Sequence, residues 1–410
     1  MMPLWLGLVA LMACGSSEPA KEAPDLEGAS SSRPSIVFVV VDGLRSDRVH
    51  GFSPKQPDLL HPMPKVQAWS GKATRFGRTY AATPRVLSST VSLLTGVPVR
   101  SHGVIASDRV LGPTFLTLAQ HLSVVGYATH AVVESHEAWK SPDSRLERGF
   151  DEIQRISGDA GPTSGRIVEL ARKRWDRQLQ DAPEQPLFLY LQLGDPLPPF
   201  TDHPDIDFGD TPDGRYREEL YSVDEQLGDW LPKLGKNALV VLTSSVGVNL
   251  GEHEGDALSL YEENIRVPTL IRAPRLPAAD IPRPLGAVDI GATVLGIAGV
   301  PNCPTSLGQR LPQDEFGRIK VRNKRAVYSE ALDGADATVG VMGQTKLVRD
   351  RTNDSWRLFE LSTDPAERED AKKGNGGNPN YVKLQRAILA LEKVAVFEAA
   401  RTKSPQVDTP

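Results

Sequence analysis

The run SIVFVVVD at residues 35–42 constrains the fold most. It is apolar and largely β-branched from Ile36 to Val41, then ends in the carboxylate of Asp42. A strand apolar on both alternating sides must be covered on both faces, as in the centre of a parallel sheet. Similar runs follow at YATHAVV (127–133), PLFLYLQL (186–193), ALVVLTS (238–244) and VPTLIRA (267–273). Helical patterns lie between them: VSLLTGV closes one near Gly96, and FLTLAQHLSVVG (115–126) and REELYSVDEQLGDWLPKLG (217–235) each stop at glycine, a common helix terminator. This alternation predicts an α/β fold with a mostly parallel central sheet flanked by helices. From about residue 325 the runs RAVYSEAL, ATVGVM, TKLVRD and WRLFEL predict a small antiparallel sheet, and 381–401 predicts an amphipathic terminal helix. Ligands of parallel sheets bind at the carboxyl ends of the strands. Asp42, Gly194-Asp195 and the Ser244-Ser245 turn all fall there.

The N-terminus differs in kind. MMPLWLGLVALMAC is a short apolar run ending in small residues, the form of a secretory signal. Leu11-Met12-Ala13-Cys14-Gly15 resembles the lipobox of bacterial lipoproteins, which implies lipidation of Cys14; a plain cleaved signal is the alternative. Residues 15–34 are rich in Ser, Pro, Ala and Glu and read as a flexible tether. The expected organisation is a signal peptide (1–13), lipidated Cys14 with its tether (14–34), an α/β core (35–310), a C-terminal α+β subdomain (311–402) and a tail (403–410). The expected location is the bacterial cell envelope, anchored to a membrane by lipid. The net charge of −5 gives no case for nucleic acid as a partner. Cys14 and Cys303 are the two cysteines, too few for a disulfide framework or a Cys-rich zinc site. Cys303 reads as a core thiol.

Several motifs in order resemble the sulfatase family of the alkaline phosphatase superfamily. They are IVFVVVDGLRSDRVHGF, SSTVSLLTGVPVRSHGV (88–104), VGYATHAVVESHEAWKSPDSRLERGFDEI, PLFLYLQLGDPLPPF, LVVLTSSVGVNLGEHEG, IRVPTLI, VDIGATVLGIAGVP and LFELSTDPAERED. The resemblance implies a nucleophile, formylglycine or Ser/Thr, at a helix N-terminus. It also implies a Ca²⁺ or Mg²⁺ ion held by carboxylates with Asn or His, and Lys and His groups around the substrate anion. Position by position, the nucleophile falls on Val86, the motif's Pro on Ser88 and its Arg on Thr90. The second Asp of the first metal strand falls on Gly43. The ligand pair of the later turn falls on Ser245 and Val246, the His after Asp-Pro on Leu197, and an active-site Lys on Glu134. Asp42, His136, Asp195, His253 and Lys346 remain as candidates.

One carboxylate does not hold Ca²⁺, which takes six to eight oxygens. Asp42 therefore reads as a strand-end hydrogen-bond acceptor in preference to a metal ligand. Ser88 and Ser89 read as helix-capping hydroxyls, with contact to a ligand as the alternative. Arg85 and Asp195 are candidates for binding an anionic ligand, and Arg45 with Asp47 for a local pair. His136 and His253 read as hydrogen-bonded structural residues that also have the chemistry for an anion or a shared metal. Glu252 and Glu254 read as a solvated charged loop. The expected function is a catalytically inactive sulfatase-like protein, without cofactor, that binds an anionic ligand, a glycan or a protein partner. The alternative is a sulfuric- or phosphoric-ester hydrolase with a rearranged centre requiring Ca²⁺ or Mg²⁺.

Overall fold

The structure is a computed structural model that describes residues 33–49, 61–139, 144–159, 161–253, 259–321, 325–334, 336–372 and 378–400. The expectations for the signal segment, Cys14, most of the tether, Glu254 and the tail 403–410 lie outside the described residues. The strands are β1 (Ile36–Val41), β2 (Thr74–Tyr80), β3 (Ala128–Glu134), β4 (Glu152–Ile156), β5 (Leu187–Leu193), β6 (Leu239–Thr243), β7 (Arg266–Arg272), β8 (Ala279–Ile281) and β9 (Leu285–Gly286). They are followed by β10 (Val327–Ala331), β11 (Ala337–Met342), β12 (Thr345–Asp350) and β13 (Ser355–Glu360). The helices are α1 (Pro64–Ser70), α2 (Val86–Thr95), α3 (Val99–His102), α4 (Leu118–Val124), α5 (Ser164–Asp181), α6 (Pro212–Trp230), α7 (Glu262–Ile265), α8 (Val288–Ile297) and α9 (Pro379–Glu392).

The central sheet runs β4-β3-β5-β1-β6-β7-β2-β8, with β9 beside β2. β1 sits in its middle, parallel to β5 and β6, and its six residues are wholly buried as their apolar pattern requires. Even-numbered β1 residues face α2, α4 and α8, whereas odd-numbered ones face α1, α5 and α6. The second sheet, β10-β11-β12-β13, is antiparallel, and α9 packs on it through Leu384 and Ile388. No described helix is long and apolar enough to cross a membrane. Cys303 is buried in the core, as expected.

Three local differences from the sequence reading have physical causes. β7, read as VPTLIRA, runs antiparallel to β6; the one helix described between them is the single turn α7, and a parallel return needs a longer crossover. The terminal helix stops at Glu392 instead of 401. Beyond it the chain extends: Arg100 donates to the Val394 carbonyl at 2.9 Å, and the Phe397 N–H donates to the Arg100 carbonyl at 2.8 Å. The apolar residues after 392 thus serve a contact with α3 and do not continue a helical face. Lastly, β2 is a strand without an apolar run, because Arg75, Gly77 and Arg78 interrupt it.

Candidate functional site

Asp42 lies just past β1 and is fully buried. Its two oxygens are satisfied from within the chain. Ser245 Oγ donates to Oδ1, and Gln192 Nε2 donates to Oδ2 at 2.7 Å. His136 Nε2 lies 3.1 Å from Oδ2, close enough for an ion pair but outside hydrogen-bond alignment. The Gln192 amide is oriented by its other end, where Oε1 accepts from Trp139 Nε1 at 2.6 Å and from the Tyr190 hydroxyl at 2.8 Å. Both of those groups are donors there, so the NH₂ must face Asp42 and Thr90 Oγ1, the latter at 3.0 Å. His136 Nδ1 accepts the Ala138 N–H at 3.3 Å, so the neutral ring carries its proton on Nε2, toward Asp42. Burial lowers the His136 pKa, but the adjacent Asp42 carboxylate outweighs it and the net shift is upward.

The nucleophile position is equally changed. α2 starts at Val86, and its N-cap, Arg85, gives the helix no side-chain cap. Instead the Glu137 carboxylate accepts the Leu87 N–H at 3.0 Å. An acidic group at a helix N-terminus is favoured by the aligned backbone dipoles, so this chain supplies its own anion where an external one would sit. Capping by Ser88 and Ser89 is thereby corrected. Ser89 Oγ donates to the Ser245 carbonyl at 2.5 Å, and buried Ser88 Oγ has no hydrogen-bond partner among the described residues. Arg85 is committed to Asp333 at 2.7 Å. The gap lined by Thr83, Arg85, Ser88 and Asp333 measures about 10 Å³, room for about one water.

The other candidates separate. Asp195 caps α5, accepting the N–H groups of Thr163 and Ser164 at 2.8 Å each. Glu134 lies beside it, accepting the Gly194 N–H at 2.8 Å; burial, with Asp195 adding to it, raises its pKa. Leu197 is half-buried beyond β5, its N–H held by the Gly194 carbonyl at 2.9 Å. His253 stacks on Tyr261 with centroids 3.6 Å apart and meets Glu263 at 2.6 Å, so it shares no ligand with His136. Lys346 is not at the centre: it is buried between Glu367 at 2.7 Å and Glu262 at 3.1 Å. Arg45 pairs with Asp47 as expected, at 2.9 Å, and also with Glu252 at 2.5 Å. Glu252 is therefore an ion-pair partner and not a solvated loop charge.

The donor set does not fit a divalent cation. Asp42 faces an amide NH₂, a donating hydroxyl and an imidazole N–H, where a hard cation needs several oxygen acceptors; Glu134 and Asp195, the other carboxylates at the strand ends, are turned to the Gly194, Thr163 and Ser164 N–H groups. Val246 contributes its carbonyl to the Gly43 N–H at 3.0 Å and its side chain to the core. Gly43 itself has φ +80, and a Cβ there would meet the Pro196 carbonyl oxygen at 2.7 Å, leaving no room for a second carboxylate. Among the described residues no group of three His, Cys, Asp or Glu is placed to hold a metal. Gly247 explains why the turn keeps its shape without its chemistry: a Cβ there would come 2.0 Å from the Glu263 carbonyl oxygen.

Sequence reasoning located Asp42, Val86, Ser245 and Val246 but missed Gln192, Trp139 and Glu137. The signal for Gln192 is a lone amide in the buried run LFLYLQL, which demands a partner.

Comparison with known proteins bears on ancestry. The structure resembles that of Ps i-CgsB in complex with k-i-k-neocarrahexaose, with a TM-score of 0.72 and 18% identity over 91% of this chain and 95% of that one. It resembles the putative sulfatase yidJ from Bacteroides fragilis at a TM-score of 0.70 and 18% identity, over 90% and 97% of the two chains. It also resembles BT4656, solved in complex with its substrate D-glucosamine-2-N,6-O-disulfate, at 0.70 and 16%, over 88% and 98%. The uncharacterized sulfatase YidJ of Escherichia coli (strain K12) is 18% identical over 343 residues, 65% of this chain and 68% of its own length. Residues 34–300 match the Sulfatase family model, and the chain belongs to the sulfatase family.

Proposed function

We propose that this protein is a catalytically inactive sulfatase-family member, tethered to the bacterial envelope through a lipidated Cys14, that binds an anionic glycan without turning it over. The observation that carries the reading is the closed surround of Asp42: hydrogen bonds from Ser245 and Gln192 and an ion-pair contact with His136. It is supported by an isopropyl group at the nucleophile position and by Glu137 on the α2 N-terminus. A developing oxyanion needs preorganised donors and an open, charged pocket; here those donors are consumed internally. The glycan class is suggested by the sugars in the names of the structural relatives, k-i-k-neocarrahexaose and D-glucosamine-2-N,6-O-disulfate.

Calcium or magnesium titration of the whole chain, followed calorimetrically and by elemental analysis, tests the closed centre. The expected result is no stoichiometric cation. The second reading, an ester hydrolase with a rearranged centre, rests on the Asp42–His136 pair and requires one bound cation per chain that Asp42→Asn removes.

A further inference from the structure

A basic cavity lies on the other face of the sheet from α2. It is lined by His130, Glu152, Lys173, Arg174 and Arg177 and occupies about 110 Å³. It is built by β3, by the edge strand β4 and by the second half of α5. Arg174 and Arg177 are three residues apart on α5 and so share a face. Among the described residues neither arginine has a carboxylate within ion-pair distance. Lys173 is held by Glu169 at 2.5 Å.

The cavity's inner wall has unmet hydrogen-bonding capacity. Arg174 Nη2 donates to His130 Nε2 at 2.5 Å, which leaves the ring proton on Nδ1. That Nδ1 faces Glu152 at 3.4 Å without hydrogen-bond alignment, and Arg174 Nε is buried with no hydrogen-bond partner among the described residues. His130 is 7% exposed. Burial, with the adjacent Arg174 charge, lowers the His130 pKa and favours the neutral ring. Buried donors of this kind are normally satisfied, and a guanidinium fork suits a planar or tetrahedral oxyanion. The volume is below that of pockets for drug-sized ligands, which limits the occupant to a small group.

We infer that Arg174, Arg177 and His130 form a binding site for a sulfate or phosphate group, separate from the former catalytic centre. Among the described residues Glu152 is the one carboxylate lining it, and its repulsion directs an anion toward the arginines. The site stands whether or not the centre at Asp42 turns over, since no residue is shared.

Calorimetric titration of the full chain with sodium sulfate and sodium phosphate, at constant ionic strength, tests it. One saturable site is expected. Arg177→Glu, at an exposed position and with folding checked by circular dichroism, should weaken binding at least about tenfold. Arg174→Lys should weaken it less. A sulfated disaccharide binding more tightly than inorganic sulfate identifies a glycan substituent as the source; equal affinity identifies the free anion, and either supports the site. No saturable binding overturns the inference. So does unchanged affinity in Arg177→Glu, or retention there with loss in Arg85→Ala, which places the anion in the cleft beside α2.

Discussion

Gln192 Nε2 donates to Asp42 Oδ2 across 2.7 Å, between adjacent parallel strands at the centre of the sheet. The oxygen of the same amide accepts hydrogen bonds from Trp139 and Tyr190, so the amide cannot turn to offer Asp42's neighbour site an acceptor. A carboxylate that in sulfatases serves a cation is here the terminus of a hydrogen-bond chain. Asp42→Ala removes that terminus, leaves the buried Ser245 hydroxyl and Gln192 amide without that acceptor, and leaves His136 without its ion-pair partner. We expect a loss of about 3 kcal/mol of folding stability, read by urea denaturation, with a smaller loss for Asp42→Asn.

The His136 pKa is raised in the folded state by Asp42, against the effect of burial. A raised histidine contributes stability that is fully present below its unfolded pKa of about 6.5 and is lost as pH rises through the higher folded value. Stability measured from pH 6 upward should therefore fall through this window. His136→Gln should flatten that part of the profile; an unchanged slope contradicts the pairing.

Glu137 is exposed, yet its carboxylate is the cap of α2. Glu137→Ala should cost about 1 kcal/mol, the usual scale for a lost cap with a dipole contribution. Thermal denaturation checks it. A neutral outcome would show that solvent caps the helix equally well.

Lys346 is fully buried between two carboxylates, and their charges raise its pKa despite burial. Lys346→Met would remove the cation between Glu262 and Glu367, leaving Glu262 the more distant Arg266 at 3.8 Å. A loss of about 3–5 kcal/mol is expected. The double variant with Glu367→Gln should recover part of it, which a cavity effect alone would not do.

The strands that carry the site were legible from the apolar runs of the sequence. Apolar runs on both faces of β1, β5 and β6 leave few alternatives to a central parallel position, and Asp42 and Ser245 follow from where those runs end. What was hidden is pairing at long range. Gln192 reads as a blemish in an apolar run until β5 is set beside β1. Glu137 reads as one more surface charge until the loop after β3 is brought to the start of α2. Ser88 and Ser89 sit where capping residues sit, but the cap is supplied 50 residues away, beyond the reach of local propensity. Lys346 is apolar in all but its tip and alternates correctly along β12, so only the fold reveals that it meets Glu262 and Glu367.

The most direct measurement is turnover of aryl sulfate and aryl phosphate esters by the full chain in the presence of calcium or magnesium, set against Asp42→Asn. The account predicts no rate above that of the variant with either ester. Wild-type turnover that Asp42→Asn abolishes would contradict it.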